Sequence, residues 1–238
     1  MPTRYPSRVD RDEILRLLRA FEEKGLEYVL IGASAMAFHG LVRATEDLDL
    51  FIRATPENIE RLRQALKDAY DDDPHIDEIS SADLLGDYPA VRYYPPTGDL
   101  YLDVLTRLGE SSRFETVEAE VREIEGTHVR IATPAALYRM KKGTVREKDR
   151  MDATALRDSL SCTMKTERRV QKFRSIEEMN KAPIRCGDFE SFLRHCARWW
   201  AIAPKHYPRG VFKFRSIEEA QEAGRNHLTV SPLKIRNK

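Results

Sequence analysis

Two aspartates, Asp47 and Asp49, stand two residues apart in the run DLDLFI (47–52), and a third, Asp103, lies in LYLDVL (100–105). Acidic and apolar residues alternate over 47–52. That is the two-residue period of a β-strand, so both carboxylates leave one face while Leu48, Leu50 and Ile52 include the other. Like charges held side by side cost free energy unless a cation sits between them. Carboxylate oxygens suit a hard ion such as magnesium. In the second run Tyr101 and Asp103 share one face, and Leu102 and Val104 face the core. Asp103 on a neighbouring strand would therefore complete a site for two ions about 3.5–4 Å apart. A bare Asp-x-Asp is more often a solvent-facing pair on an edge strand, so its surroundings matter.

Upstream, EYVLIG (27–32) is a short apolar run, the pattern of a buried strand, and it ends at Gly32. Ala33, Ser34 and Ala35 follow, and SAMAF (34–38) reads as a helix closed by His39-Gly40. A strand, a glycine and a helix start aim backbone N–H groups at an anion, and Ser34 adds a hydroxyl donor. Alone, this is more often a tight connection with no ligand. Fifteen residues ahead of an Asp-x-Asp pair, it becomes a phosphate-binding shape.

The elements that must position these groups read as follows. Asp10 to Lys24 is an amphipathic helix with Ile14, Leu17, Leu18 and Phe21 on one stripe, ended by Gly25. Thr55 to Ala69 is a helix with Thr55 as N-cap and Pro56 at its first position. Asp71 to Asp87 reads as an acidic, irregular surface loop. Ala90 to Tyr94 and Asp99 to Leu105 are strands joined by a turn at Pro95–Gly98, and Val117 to Ile131 forms a hairpin. Thr133 to Lys142 and Lys148 to Ser159 are helices.

The order and spacing of these motifs resemble the polymerase-beta-like nucleotidyltransferase superfamily: hydrophobic strand, Gly-Gly or Gly-Ser, helix, Asp-x-Asp, and a later third Asp. Gly32, Ala35, His39, Gly40, Arg43, Thr45, Asp47 and Asp49 are similar to the pattern of the AbiEii-type nucleotidyltransferases, toxins of toxin–antitoxin systems. LYRMKKGTVREKDRMDATAL (137–156) resembles their later basic and acidic segment, with Lys141, Lys142, Arg146 and Asp149. The resemblance spans roughly residues 10–160. One departure is that the residue after the first glycine, Gly or Ser in the family, is Ala33 here.

The resemblance implies an α+β fold, a mixed β-sheet flanked by helices, that transfers a nucleoside monophosphate from an NTP to an acceptor. It implies two Mg2+ ions held by Asp47, Asp49 and Asp103. Asp103 would be the base or a base-orienting ligand. Nucleotide contacts are expected from Gly32, Ala33, Ser34, Arg43, Thr45, Lys141, Lys142 and Asp149. Arg43 fits bracing of the acidic strand better than nucleotide contact, and His39 fits a structural cap. The implied acceptor is a tRNA end or a protein hydroxyl, and an antitoxin is an expected partner. A small-molecule acceptor such as an aminoglycoside is the enzymatic alternative. A nucleotide-binding or neutralising protein without turnover is the alternative that Ala33 keeps open.

Past Ser161 the character changes. Residues 162–238 carry 17 Lys/Arg against 8 Asp/Glu, a net of +9, whereas residues 1–161 carry 23 against 31, a net of −8. This divides the chain into a nucleotidyltransferase domain, 1–161, and a basic, small helical C-terminal domain, 162–238, with 165–172 as a linker. The heptapeptide KFRSIEE occurs at 172–178 and again at 213–219. Each copy offers a Ser N-cap before an acidic first turn, so each should open a helix. FESFLRHCARWWAI (189–202) reads as an amphipathic helix between them. The tail fits docking on the acidic body or binding nucleic acid, and the sequence does not choose. Its aromatic residues fit a helix core better than base stacking.

Three cysteines without a CxxC pair imply reduced thiols in a cytoplasmic protein. The charged N-terminus is not a secretory signal, and no apolar run reaches the roughly 18 residues of a membrane span.

Overall fold

The structure is a computed structural model that describes residues 11–43, 45, 47–97, 100–108, 113–144, 146–161, 184–185, 192–193, 196 and 208–225. The elements within these residues, in chain order, are α1 (Arg11–Glu23), β1 (Tyr28–Leu30), α2 (Gly32–Phe38), β2 (Leu41–Val42), β3 (Asp47–Ile52), α3 (Pro56–Ala69), α4 (Ser81–Leu85), β4 (Ala90–Tyr94), β5 (Tyr101–Leu105), β6 (Ala119–Ile124), β7 (Thr127–Ala132), α5 (Pro134–Lys141), α6 (Glu147–Ser161), β8 (Ile184–Arg185), β9 (Gly210–Phe214) and α7 (Ile217–Arg225). The fold is α+β. A mixed seven-stranded sheet runs β6-β7-β1-β3-β5-β4-β9, flanked by helices.

Register decides which residues share a face. β3 pairs parallel with β5, setting Asp49 beside Asp103 and Asp47 beside Tyr101. β4 pairs antiparallel with β5, setting Arg92 beside Asp103. Paired residues point the same way and alternate residues point oppositely, so Asp47, Asp49, Tyr101, Asp103 and Arg92 share one face. Leu48, Leu50, Ile52, Leu102 and Val104 share the other, and all are buried. On that side α1 and α3 pack against each other. Ile14, Leu17, Leu18 and Phe21 of α1 are buried there, as the three- and four-residue spacing requires. The Phe21 ring meets Tyr28 of β1 edge-on at 5.3 Å.

Local signals explain the element boundaries. Thr55 accepts a hydrogen bond from the Asn58 N–H, with Pro56 in the first turn of α3. Thr133 accepts from the Ala136 N–H to start α5. Three expectations need correction. Residues 71–87 are not irregular throughout: Pro74–Glu78 is a 3-10 turn capped by Asp73, and α4 is capped by Ser80. The caps, together with Ile76, Ile79 and Leu84 packed into the core, organise a stretch whose acidity suggested solvent. Second, α2 begins at Gly32 itself, two residues earlier than expected. Third, within the stretch read as helical, Gly210–Phe214 is strand β9, antiparallel to β4 at the sheet edge. Val211, Phe212 and Phe214 favour a pleated, half-buried surface. The KFRSIEE copy at 213–219 thus straddles a strand and a helix. Ser216 accepts from the Glu219 N–H and caps α7, as expected of it. The copy at 172–178, the linker at 165–172 and most of the helix at 189–202 lie outside the described residues. Among the described residues, no helix is long and apolar enough to cross a membrane.

Candidate metal and nucleotide site

Asp47, Asp49 and Asp103 converge. One carboxylate oxygen from each lies within 4.8 Å of the others, and all three residues are half-buried. This follows from the sheet: two acids on β3 with a period of two, and a third directly across on parallel β5.

Gly32 is fitted to the same spot. Its φ is +69°, a conformation that side chains rarely adopt. A Cβ built on it would stand 1.8 Å from Asp49 Oδ2. Glycine here lets the start of α2 approach the carboxylate, and no side chain caps that helix start. The Ile31 N–H donates to the Asp49 carbonyl at 3.0 Å, tying β1 to β3 at the same level. Ala33 is fully buried. Ser34 is buried too, and its hydroxyl donates to the Asp47 carbonyl at 3.3 Å, bracing β3 from α2.

The three carboxylates sit in unlike electrostatic surroundings. Burial and the charges of Asp47 and Asp103 push Asp49 up to about 8 from the usual 3.8. Asp103 is also raised, by burial foremost, against the opposing pull of Arg92. Burial would raise Asp47 as well, but Lys148, the Thr45 hydroxyl, Arg43 and Arg92 outweigh it and hold Asp47 below its ordinary value. The Thr45 hydroxyl donates to Asp47 Oδ1, and the Tyr101 hydroxyl lies 3.5 Å from Asp47 Oδ2. A crowded set of hard oxygens that can stay fully ionised only with added positive charge fits a divalent cation.

The other sequence candidates have the following partners. Arg43 is buried. Its Nε lies 3.0 Å from Asp152 Oδ1 and a terminal nitrogen donates to Oδ2 at 3.1 Å, while its charge also acts on Asp47 and Asp49. It ties the connection between β2 and β3 to α6. Lys141 is buried between Asp149, at 3.0 Å, and Asp152, at 2.8 Å, and Lys142 is exposed at the end of α5. Asp149 is buried and also lies 3.7 Å from Arg146. His39 Nε2 pairs with the Ala132 carbonyl at 2.8 Å, linking the end of α2 to β7.

Sequence reasoning did not single out three charged groups near these carboxylates. Arg92 donates to both oxygens of Asp103, at 2.6 and 2.7 Å. Its signal was a lone arginine in the otherwise apolar and aromatic run AVRYY (90–94), which calls for a buried partner. Asp152 is wholly buried and anchors both Arg43 and Lys141; it sits one helical turn after Asp149. Lys148 is lowered to about 8, first by the Arg43 charge and then by burial, and its own charge reaches Asp47.

A family model described as nucleotidyl transferase AbiEii toxin, type IV TA system, matches residues 16–142, which include every element of the carboxylate cluster. No curated protein matches the chain significantly.

Proposed function

The chain belongs to the AbiEii nucleotidyl transferase toxin family of type IV toxin–antitoxin systems, and on that premise we propose that it moves a nucleoside monophosphate from an NTP to a hydroxyl of a tRNA or protein, with Asp47, Asp49 and Asp103 holding two magnesium ions. The observation that carries this reading is the convergence of the three carboxylates within 4.8 Å beside a glycine whose Cβ would fill the same space. Bound there, the ions would neutralise the triphosphate and make the acceptor hydroxyl more nucleophilic.

The chain's own residues supply the rest by position and charge. Asp47, kept ionised by Lys148 and Thr45 against its burial, is the carboxylate that needs no deprotonation at neutral pH. Asp103, its two oxygens held by Arg92, would serve as the base or the base-orienting group. The backbone of Gly32, Ala33 and Ser34, at the start of α2 beside Asp49, would border the β- and γ-phosphates. Arg43 and Lys141, tied to Asp152, hold the cluster's positive rim, and exposed Lys142 is free to reach phosphate as a point charge. The attacked α-phosphorus exchanges its bond to the β-phosphate bridge for one to the acceptor oxygen, and pyrophosphate leaves. An antitoxin is the proposed protein partner.

Growth arrest on expression tests this in cells. Wild-type chain should arrest growth and Asp47→Ala should not, whereas equal toxicity would refute catalysis as its source. Incubation with labelled NTPs, magnesium and total RNA, lysate or an aminoglycoside identifies the acceptor. Label on RNA or protein supports the proposal, label on the drug replaces the acceptor, and label nowhere supports a non-catalytic binding protein.

A further inference from the structure

Strand β9 lies outside the family-matched residues, yet it reaches the carboxylate cluster by two routes. Along the first, the Phe214 ring centroid stands 5.6 Å from the Arg92 guanidinium. Arg92 is buried, is flanked by the Tyr101 ring at 4.8 Å, and grips both oxygens of Asp103. Along the second, Phe212 meets Tyr94 edge-on at 5.5 Å, Tyr94 meets Tyr101 at 4.9 Å, and the Tyr101 hydroxyl lies beside Asp47. Register makes this possible, because β4 sets Arg92 beside Asp103 on one side and beside Phe212 on the other.

A carboxylate offers about four lone-pair positions, and a forked arginine takes one on each oxygen. The grip therefore fixes the rotation of Asp103 and still leaves each oxygen able to meet an ion. Arginine does this and lysine does not, since only the planar guanidinium holds two oxygens at once.

We infer that β9 is a positioning element of the metal site: Phe214 holds Arg92, and Arg92 sets the orientation of Asp103 for a divalent ion. This rests on the metal-dependent reading above. The C-terminal segment then does more than cover a sheet edge, since loosening it loosens the third ligand.

Mn2+ binding to the full chain without nucleotide, followed by calorimetry and by electron paramagnetic resonance, tests the inference with no need for turnover. Arg92→Lys keeps the charge and loses the fork, and should weaken Mn2+ binding about tenfold, the scale of losing a group that orients a metal ligand. Phe214→Leu should weaken it about threefold, the scale of one cation–π contact. Phe214→Tyr keeps the ring and should restore wild-type affinity. The control is Lys213→Met, on the opposite face of β9, where Lys213 pairs with Asp83 at 2.6 Å. It should cost stability without changing Mn2+ affinity, and each variant's melting temperature is read alongside. If Arg92→Lys and Phe214→Leu bind Mn2+ as the wild type does, or if Lys213→Met loses as much as Phe214→Leu, the positioning role is overturned. A wild-type chain that binds no Mn2+ overturns the metal reading itself.

Discussion

Asp49 is the residue on which the electrostatics of the site turn. Its carboxyl is raised to about 8, by burial first and by Asp47 and Asp103 next. Between its unfolded value near 4 and its folded value, the native state therefore binds the proton that the unfolded chain releases. The metal-free protein should lose stability as pH rises through that window. Asp103, also raised, acts with the same sign. Asp47 is lowered, so its contribution is lost only as pH falls below the ordinary carboxylate range. Lys148, lowered to about 8, acts above the window. Asp49→Asn should flatten the decline between pH 5 and 8 and raise the metal-free melting temperature at pH 8 by about 3 °C or more, while abolishing transfer. A thermal melt series across pH reads both. Gly32→Ala makes a sharper steric demand, because its methyl would stand 1.8 Å from Asp49 Oδ2 at a φ of +69°. It should cost at least about 1 kcal/mol of stability and reduce transfer more than Ser34→Ala, which removes one hydrogen bond to the Asp47 carbonyl.

At the scale of elements, a buried ionic chain joins the β2–β3 connection, α5 and α6: Arg43 to Asp152, Asp152 to Lys141, Lys141 to Asp149. Removing one partner leaves buried charge uncompensated, so Asp152→Asn should cost about 3–5 kcal/mol in urea unfolding. The double change Arg43→Met with Asp152→Leu should recover much of that loss. What the sequence made visible here, and what it hid, has a physical basis. β3 was legible to the residue, since acids alternating with Leu48, Leu50 and Ile52 leave one way to orient the strand. α3 was legible because Thr55 and Pro56 mark its start. That Asp103 would converge with Asp47 and Asp49 was legible because its run has the same alternation. The grip of Arg92 was not, because it depends on register between β4 and β5, and pairing between strands is not written in the spacing of either. Asp152 was hidden for the same reason, as its partners come from two other elements. β9 was misread because charge and a helix-starting motif dominated a five-residue run in which Val211, Phe212 and Phe214 favour a strand.

On the scale of the whole molecule, β9 closes one edge of the seven-stranded sheet and ties the basic C-terminal region to the acidic body through the 2.6 Å pair of Lys213 and Asp83. Deleting residues 208–238 would leave β4 as an open edge, with its backbone groups and buried aromatic face uncovered. The shortened chain should melt lower and aggregate more readily, as seen by light scattering. Unchanged melting and solubility would mean that the segment folds without contributing to the sheet. The reading of the whole molecule as a nucleotidyltransferase meets its most direct test in one paired measurement. Wild-type chain, magnesium and total RNA or lysate are incubated with an NTP radiolabelled at the α-phosphate and, in parallel, at the γ-phosphate. The α label should move onto an acceptor and the γ label should leave as pyrophosphate, with neither event in Asp49→Asn. Transfer of the γ label, or transfer of α label that survives in Asp49→Asn, would contradict it.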